Sequence, residues 1–146
     1  MLLRKIFLAM NEFSTKFRVY LEDTDAGGIV YYVNYLKYME RARTEWLRSL
    51  GVEFEGLQHF GCQFVVHSVQ ANYKKPARMD DELIVTAQVE KLGRTYVIFK
   101  QRVLKQESVL CEAVVKVACV DVDSLRPRVL PDVLKQPFLA VESAAS

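Results

Sequence analysis

The strongest constraint on the fold is one long amphipathic segment between Asn34 and Gly51. Apolar side chains recur along it at helical spacing and form one wide, aromatic stripe: Tyr35, Tyr38, Met39, Ala42, Trp46 and Leu50. Asn34 is a residue type that caps helix N-termini, and Gly51 is one that ends helices. The segment is therefore predicted to be a helix about 25 Å long. Its stripe needs a large, flat surface to cover it.

The segments around this helix have the alternating apolar and polar pattern of β-strands. One strand is predicted before the helix, at residues 15–21, and four after it, at 62–77, 82–93, 95–104 and 108–122. The turns between the last three strands are short, so these strands should run antiparallel. We predict an α+β fold in which a five-stranded antiparallel sheet wraps round one long central helix. Such a layout leaves an exposed sheet edge, which formation of a homodimer or homotetramer would cover.

The length of 146 residues suits a single domain. We predict an N-terminal extension at residues 1–14, the domain itself at 15–125, and a C-terminal tail at 126–146 that holds one short helix. The apolar run near the N-terminus is too short for a secretion signal. No apolar run approaches the roughly 20 residues that a transmembrane helix needs, so no membrane-spanning segment is expected.

Charge and composition argue against several classes of function. The net charge is +2 and no basic block exceeds two residues, which disfavours nucleic acid as a partner. The three cysteines, Cys62, Cys111 and Cys119, have no C-x-x-C spacing and are interpreted as buried free thiols in a cytoplasmic protein. The chain has two histidines without a metal-binding spacing, so neither a metal nor another cofactor is expected.

The loop before the helix concentrates acidic residues and glycines. Glu22, Asp23 and Asp25 directly precede Gly27 and Gly28, and the predicted helix begins a few residues later. A helix N-terminus offers free N–H groups that stabilise an oxyanion, and a carboxylate can attack a carbonyl or activate water. No serine has the G-x-S-x-G context of a nucleophile elbow. The loop is either a reaction centre or an ordinary Asx turn before glycine.

This stretch carries a resemblance to a known family. Residues 23–45, DTDAGGIVYYVNYLKYMERARTE, resemble the signature of hotdog-fold acyl-CoA thioesterases of the 4-hydroxybenzoyl-CoA thioesterase family. More narrowly, residues 18–47 resemble the branch of bacterial acyl-CoA thioesterases linked to the Tol-Pal cell-envelope system. Residues 73–83, YKKPARMDDEL, resemble the exit of the strand that follows the helix in that family. The resemblance covers residues 15–125.

The resemblance implies hydrolysis of an acyl-CoA, with a short aliphatic or an aromatic acyl group, to a free acid and coenzyme A. Asp25 matches the catalytic carboxylate of the family, acting as general base or nucleophile. Gly27 and Gly28 match the tight turn beyond it, and Tyr32 occupies the position whose backbone N–H faces the thioester carbonyl. Coenzyme A belongs to the substrate, and acyl carrier protein is an alternative partner.

Two positions depart from the Tol-Pal-linked branch. That branch usually has His where Tyr32 stands and often Tyr where Leu21 stands, whereas Tyr32 agrees with the hydroxybenzoyl group. The backbone role of residue 32 is unaffected by this difference, but acid–base catalysis by a histidine at that position is not available.

Further residues are candidates for substrate binding. Tyr31 and Tyr32 precede the helix and could line an acyl or aryl pocket. His67 lies in a predicted strand, where it is either a substrate contact or a core or interface residue. Basic residues suited to the phosphates of coenzyme A, or otherwise plain surface charges, are Lys74, Lys75, Arg78 and Arg94.

Two other functions are compatible with this fold. A non-hydrolytic module would hold an acyl-CoA or acyl carrier protein at the same helix end and serve as a scaffold, and Tyr32 in place of histidine favours it. A hotdog dehydratase would normally need a catalytic histidine near this site, and this stretch contains none.

Overall fold

The computed structural model describes residues 12–52 and 58–135. One long helix and five strands follow each other along the chain: β1 (Phe13–Arg18), α1 (Val33–Ser49), β2 (Cys62–Tyr73), β3 (Glu82–Leu92), β4 (Tyr96–Lys105) and β5 (Ser108–Asp121). The strands form one sheet in the order β1-β3-β4-β5-β2, and every neighbouring pair is antiparallel. The predicted α+β class and five-stranded antiparallel sheet are confirmed.

The predicted apolar stripe of α1 faces the sheet. All six of its side chains are buried, as the helical spacing predicted. Tyr38 stacks on Phe17 of β1 with ring centroids 5.8 Å apart, and Trp46 meets Phe99 of β4 edge-on at 5.3 Å. Burial of each large apolar side chain contributes roughly 1.5–3 kcal/mol. The stripe therefore holds α1 against strands from both the edge and the middle of the sheet.

The sequence predicts the end of α1 correctly but not its start. Gly51 has φ +82°, and its N–H donates to Arg48 O at 3.0 Å, so the predicted glycine stop is confirmed. The prediction that Asn34 caps the helix is wrong, because α1 begins at Val33 with Tyr32 as its N-cap. Asn34 lies in the first turn, where its Nδ2 donates to Asp23 O at 2.8 Å. Asn34 therefore holds the acidic loop instead of capping the helix.

The first strand lies earlier than predicted. β1 starts at Phe13, two residues before the predicted strand and inside the predicted N-terminal extension, and it ends at Arg18. Beyond it the chain turns into a 3-10 helix at Leu21–Asp23, and Thr24, the residue that follows this helix, donates from Oγ1 to Leu21 O. This turn leaves Leu21 exposed, so the predicted strand over residues 15–21 is wrong in its last three residues.

The second strand is shorter than predicted. β2 ends at Tyr73, because the N–H groups of Lys74 and Lys75 both donate to Leu110 O and Pro76 has no N–H to extend the ladder. The N–H of Ala77 then donates to the hydroxyl of Tyr35 on α1 at 2.9 Å. The segment after β2 is thereby tied to the start of the helix.

One buried polar side chain crosses the core beneath α1. Gln101 of β4 is 0% exposed, and its Nε2 donates to Met39 O and to Thr86 O, each at 3.0 Å. Its Oε1 accepts a hydrogen bond from Arg43 at 2.9 Å. This amide therefore links the helix to β3 and β4, and nothing in the strand pattern predicted it.

The start of the C-terminal tail packs on the domain. Arg128 N donates to Cys119 O at 2.9 Å, and Leu130 N donates to Arg94 O at 3.0 Å. Leu130 and Leu134 are buried, and residues 132–135 form the one short helix that was predicted. The tail therefore contributes to the core at the end of the sheet that includes Arg94.

The three cysteines are buried free thiols, as predicted. Burial raises the pKa of Cys111 to about 11 and that of Cys119 to about 12. The thiols of Cys111 and Cys119 are therefore protonated and unreactive at neutral pH.

Candidate active site

Asp25 lies on a small hairpin that leads into α1. Residues Thr24 and Val30 form an antiparallel bridge at its base, and Asp25 N donates to Ile29 O at 3.0 Å. Gly28 closes the turn by donating to Asp25 O at 3.0 Å, with φ at +77°, a conformation that favours glycine. No atom lies within 4 Å of where a Gly28 side chain would begin. The turn therefore leaves open space beside Gly28.

The Asp25 carboxylate is exposed and lightly held. Its Oδ1 accepts one hydrogen bond, from Gly27 N at 2.9 Å, which is the Asx-type contact expected of a turn. By contrast, the Asp23 carboxylate accepts from Tyr20 N at 2.9 Å, and the Asp23 carbonyl accepts from Tyr31 N and Asn34 Nδ2. The hydrogen bonds of Asp23 therefore stabilise the loop, whereas one carboxylate oxygen of Asp25 stays open to a substrate or water.

Two backbone donors are open at the N-terminus of α1. Asn34 N donates to Tyr31 O at 2.8 Å, and Tyr35 N donates to Tyr32 O at 3.3 Å. The N–H groups of Tyr32 and Val33 have no acceptor among the described residues. Such groups carry the positive end of the helix dipole and bind anions or polarised carbonyls. Donors and carboxylate are thus carried by one hairpin and the helix that follows it.

Tyrosine rings form a wall beside this helix end. Tyr31 and Tyr32 lie 5.1 Å apart by ring centroid, Tyr32 meets Tyr73 edge-on at 5.8 Å, and Tyr73 contacts Tyr35 at 5.6 Å. Tyr31, Tyr32 and Tyr73 are about half exposed, whereas Tyr35 is buried. Burial raises the pKa of Tyr73 and of Tyr35, so both are neutral hydroxyls at physiological pH. The wall is apolar enough to face an acyl or aryl group.

Tyr73 was not among the predicted site residues. It ends β2, and its place in the wall depends on a contact across 41 positions of sequence with Tyr32. Its one signal in the sequence is that it begins the YKKPARMDDEL stretch at the strand exit.

The predicted coenzyme A contacts are separated by the fold. Lys74 and Lys75 follow Tyr73 and lie at the Asp25 end of the sheet. Lys74 pairs with Glu112 at 3.2 Å, whereas Lys75 donates to the neutral hydroxyl of Ser108. Arg94 lies beyond the opposite end of β3, a strand about 35 Å long. A single chain therefore places the two lysines, but not Arg94, at the same end of the sheet as Asp25.

His67 lies in the middle of β2, away from the tyrosine wall. It is exposed at a bulge where the register with β5 shifts between Val66 and Ser68. Six residues, about 20 Å of strand, separate it from Tyr73. His67 is therefore not beside Asp25 within one chain, and His59 is exposed, as expected of a surface residue.

A charged turn braces the Asp25 hairpin. Ile29 forms a bridge with Arg78, and Val30 N donates to Ala77 O at 2.8 Å. Within this turn, burial opposes the ionisation of Asp81, but the bonds from Lys105 Nζ and Arg78 N, each 2.9 Å, outweigh it. The pKa of the Asp81 carboxyl is therefore lowered, and the ionised group fixes the turn against the hairpin.

The described part of the chain contains neither a cluster suited to a metal ion nor a helix suited to span a membrane. No group of three or more His, Cys, Asp or Glu side chains there could hold a metal ion. No helix within residues 12–52 and 58–135 is long and apolar enough to cross a membrane.

The chain is similar in sequence and in fold to known thioesterases. The Thioesterase superfamily profile matches residues 27–112. The acyl-CoA thioesterase YbgC of Haemophilus influenzae is 41% identical over 129 residues, 88% of this chain and 95% of the relative. The acyl-CoA thioester hydrolase YbgC of Escherichia coli O157:H7 is 41% identical over 83% of this chain and 91% of its own. A probable thioesterase structure from Bartonella henselae superposes with a TM-score of 0.79 at 32% identity, covering 83% and 100% of the two chains.

A carboxylate beside open N–H groups at a helix N-terminus is an arrangement that suits chemistry on a carbonyl group. The chain belongs to the thioesterase superfamily. The predicted hotdog fold and the predicted class of enzyme, a hydrolase of thioester bonds, are both confirmed. The individual site residues stay predictions.

Proposed function

We propose that the protein hydrolyses acyl-CoA thioesters to a free acid and coenzyme A at the N-terminus of α1. The observation that carries this proposal is the Asp25 carboxylate, held by one hydrogen bond from Gly27, on the hairpin that leads into the open N–H groups of Tyr32 and Val33. The YbgC relatives, named as acyl-CoA thioesterases, support coenzyme A as the carrier of the acyl group.

The geometry suggests how each group would act. The thioester carbonyl oxygen accepts a hydrogen bond from the Tyr32 N–H, with Val33 beside it, and the helix dipole stabilises the oxyanion that develops. Asp25 either takes a proton from a water that attacks the carbonyl carbon, or attacks that carbon directly and is released by water. In both routes the carbon–sulfur bond breaks and the thiol of coenzyme A takes the proton. In the first route the acid takes its new oxygen from water, and in the second it takes an oxygen from Asp25, whose carboxylate water then restores.

The glycine turn, the tyrosine wall and one of the two lysines have roles around this centre. Gly28 leaves room for the substrate, and the wall of Tyr31, Tyr32 and Tyr73 would face the acyl or aryl group. Lys75, whose ammonium contacts only Ser108 within the described residues, is better placed than Lys74 to bind a phosphate of coenzyme A.

A panel of acyl-CoA thioesters with thiol detection tests the proposal. We expect turnover of short aliphatic or aromatic acyl-CoA by the wild-type protein, because the tyrosine wall suits such groups. Tight acyl-CoA binding without release of thiol from any member would contradict hydrolysis. It would instead support the alternative of a scaffold that binds acyl-CoA or acyl carrier protein, for which Tyr32 in place of histidine is the favouring observation.

We further propose a homodimer that forms along β2, with a homotetramer as the larger alternative. β2 is an edge of the sheet and presents the exposed valines Val66 and Val69 on the side of α1, at 51% and 40% exposure. Long apolar edge strands pair with other chains unless they are protected. Arg94 and His67 would reach an Asp25 site only from a second chain, so a dimer would also give these predicted contacts a place.

Light scattering tests this assembly. Wild-type protein is expected to have twice the monomer mass or more, and Val69→Lys is expected to shift it towards the monomer because the edge then carries a charge. The matched control is Val114→Lys on β5, at 39% exposure and opposite Gln70, which should keep the wild-type mass. A monomeric wild-type protein, or equal effects of the two lysines, would contradict pairing through β2.

We also propose a branch of the family and a cellular compartment for this protein. The RVYLEDTDAGG stretch and the 41% identity to YbgC relatives support the Tol-Pal-associated branch. Three buried free thiols favour a reducing compartment such as the cytoplasm.

A further inference from the structure

Asn34, in the first turn of α1, holds the start of the Asp25 hairpin. Its Nδ2 donates to Asp23 O at 2.8 Å, and the same carbonyl accepts the N–H of Tyr31 at 3.0 Å. Asn34 is 9% exposed, so water competes little for its bond. Asp23 directly precedes the base of the hairpin, so this bond fixes where the hairpin leaves the acidic loop.

Tyr35, the next residue of α1, holds the other side of the hairpin through Ala77. The Tyr35 hydroxyl accepts the Ala77 N–H at 2.9 Å, and Ala77 O accepts the Val30 N–H at 2.8 Å. All three residues are buried. Val30 forms the base of the hairpin with Thr24. Two neighbouring side chains of one helical turn therefore hold both sides of the hairpin base.

The Asp25 carboxylate has no bond of its own to the helix among the described residues. It accepts one hydrogen bond, from Gly27 of the same hairpin. The open N–H groups of Tyr32 and Val33, by contrast, belong to the start of α1. The distance between the carboxylate and these donors is therefore set by how the hairpin lies on the helix.

We propose, on the basis of the hydrolysis proposed above, that Asn34 and Tyr35 are positioning residues of the reaction. They hold the hairpin, and through it the Asp25 carboxylate, in place relative to the N–H groups that face the thioester carbonyl. Both are buried, so they act on the substrate only through the groups they hold. Catalysis depends on such placement, because a misplacement of about 1 Å can lower a rate about 10²-fold.

Asn34→Ala is expected to lower kcat by about 10- to 100-fold and to leave KM within about twofold of wild type. The variant loses the bond from Nδ2, but Asp23 O keeps the N–H of Tyr31, so no buried carbonyl is left without a donor. The protein is therefore expected to stay folded, which circular dichroism checks. The substrate contacts proposed for the tyrosine wall and Lys75 stay in place, so the loss appears in kcat.

Thr44→Val is the matched control for Asn34→Ala. Thr44 also donates from its side chain to a carbonyl of α1, Glu40 O at 3.1 Å, but it lies ten residues further along the helix. This variant is expected to keep the wild-type kcat. Wild-type kcat in Asn34→Ala protein, or an equal loss in the control, would overturn the role of Asn34.

Tyr35→Phe tests the second contact. It keeps the ring that contacts Tyr73 but leaves the buried Ala77 N–H without its acceptor, so we expect kcat to fall about tenfold with KM within about twofold. The control is Tyr96→Phe, because the Tyr96 hydroxyl makes no hydrogen bond with the described residues and lies at the Arg94 end of the sheet. Unchanged kcat in Tyr35→Phe protein would overturn the role of Tyr35.

Combination with Asp25→Asn separates positioning from a loss of stability. A residue that acts through Asp25 has little further effect once the carboxylate is gone. Asn34→Ala and Tyr35→Phe are therefore each expected to change the residual kcat of Asp25→Asn protein by less than about twofold. The same fold-loss in both backgrounds would show that the two residues act on the fold alone, and would overturn the proposal.

Backbone hydrogen exchange tests the contacts without turnover. The amides of Asp25 and Val30 donate to Ile29 O and Ala77 O. Each single variant is expected to exchange these two amides about tenfold faster or more, with the amides of β4 unchanged as a reference. Unchanged exchange in a protein that hydrolyses acyl-CoA would overturn this inference and leave the proposed function intact. A wild-type protein that cleaves no thioester would overturn the proposed function, and with it the catalytic role of the two contacts.

Discussion

Asp25→Asn is expected to lower kcat/KM for acyl-CoA hydrolysis by roughly 10²- to 10⁴-fold, the usual contribution of a general base. The amide oxygen of Asn can still accept the Gly27 N–H, so the hairpin and its approach to α1 are expected to persist. The amide can neither take a proton from water nor form an acyl intermediate. The loss should therefore appear in kcat, with little change in KM.

Glu22→Gln is the matched control for this experiment. Glu22 is an exposed carboxylate in the same acidic stretch, three residues before Asp25, and the same chemical change there should leave kcat/KM within about twofold of wild type. Asp25→Asn protein that hydrolyses as fast as wild type would remove Asp25 from the mechanism. For an active wild type, single-turnover hydrolysis in labelled water separates the two routes, since label in the Asp25 carboxylate indicates direct attack.

Gln101→Leu is expected to lower the free energy of unfolding by about 3 kcal/mol. The substitution roughly preserves volume but removes the hydrogen bonds to Met39 O, Thr86 O and Arg43 in a fully buried place. A buried polar group left without its partner costs about 1–3 kcal/mol, and three groups are affected. The measurement is denaturant unfolding at one fixed protein concentration, because assembly would shift the apparent stability.

Gln88→Leu on the neighbouring strand is the matched control for Gln101→Leu. Gln88 of β3 is half-buried and its side chain makes no hydrogen bond with the described residues, so Gln88→Leu should stay within about 0.5 kcal/mol of wild type. Equal stabilities of the two variants would show that the Gln101 amide is not an energetic link between helix and sheet.

The central helix shows how much the sequence can determine. Tyr35, Met39 and Trp46 are buried as their spacing predicted, because a helix turns every 3.6 residues whatever surrounds it. The Gly51 stop was predicted for the same reason, since it depends on the φ angle of one residue. The antiparallel order of β3, β4 and β5 follows from short turns, which are also local.

The start of the helix shows where local signals become ambiguous. The side chain of Asn34 can cap a helix or bond to another loop, and the choice depends on where Asp23 O lies. Leu21 fits an alternating strand pattern until the chain turns after Arg18.

The sequence by itself determined the elements of this protein, the order in which they occur, and the acidic loop that marks its candidate reaction centre. Only the tertiary structure decided that Tyr73 joins the tyrosine wall, that Arg94 lies at the opposite end from Asp25, and that Arg43 and Gln101 meet under the helix. Periodicity and turn chemistry act between residues a few positions apart, so they can be recognised from the sequence alone. A contact such as that between Arg43 and Gln101, 58 positions apart, exists only once the sheet has folded round the helix.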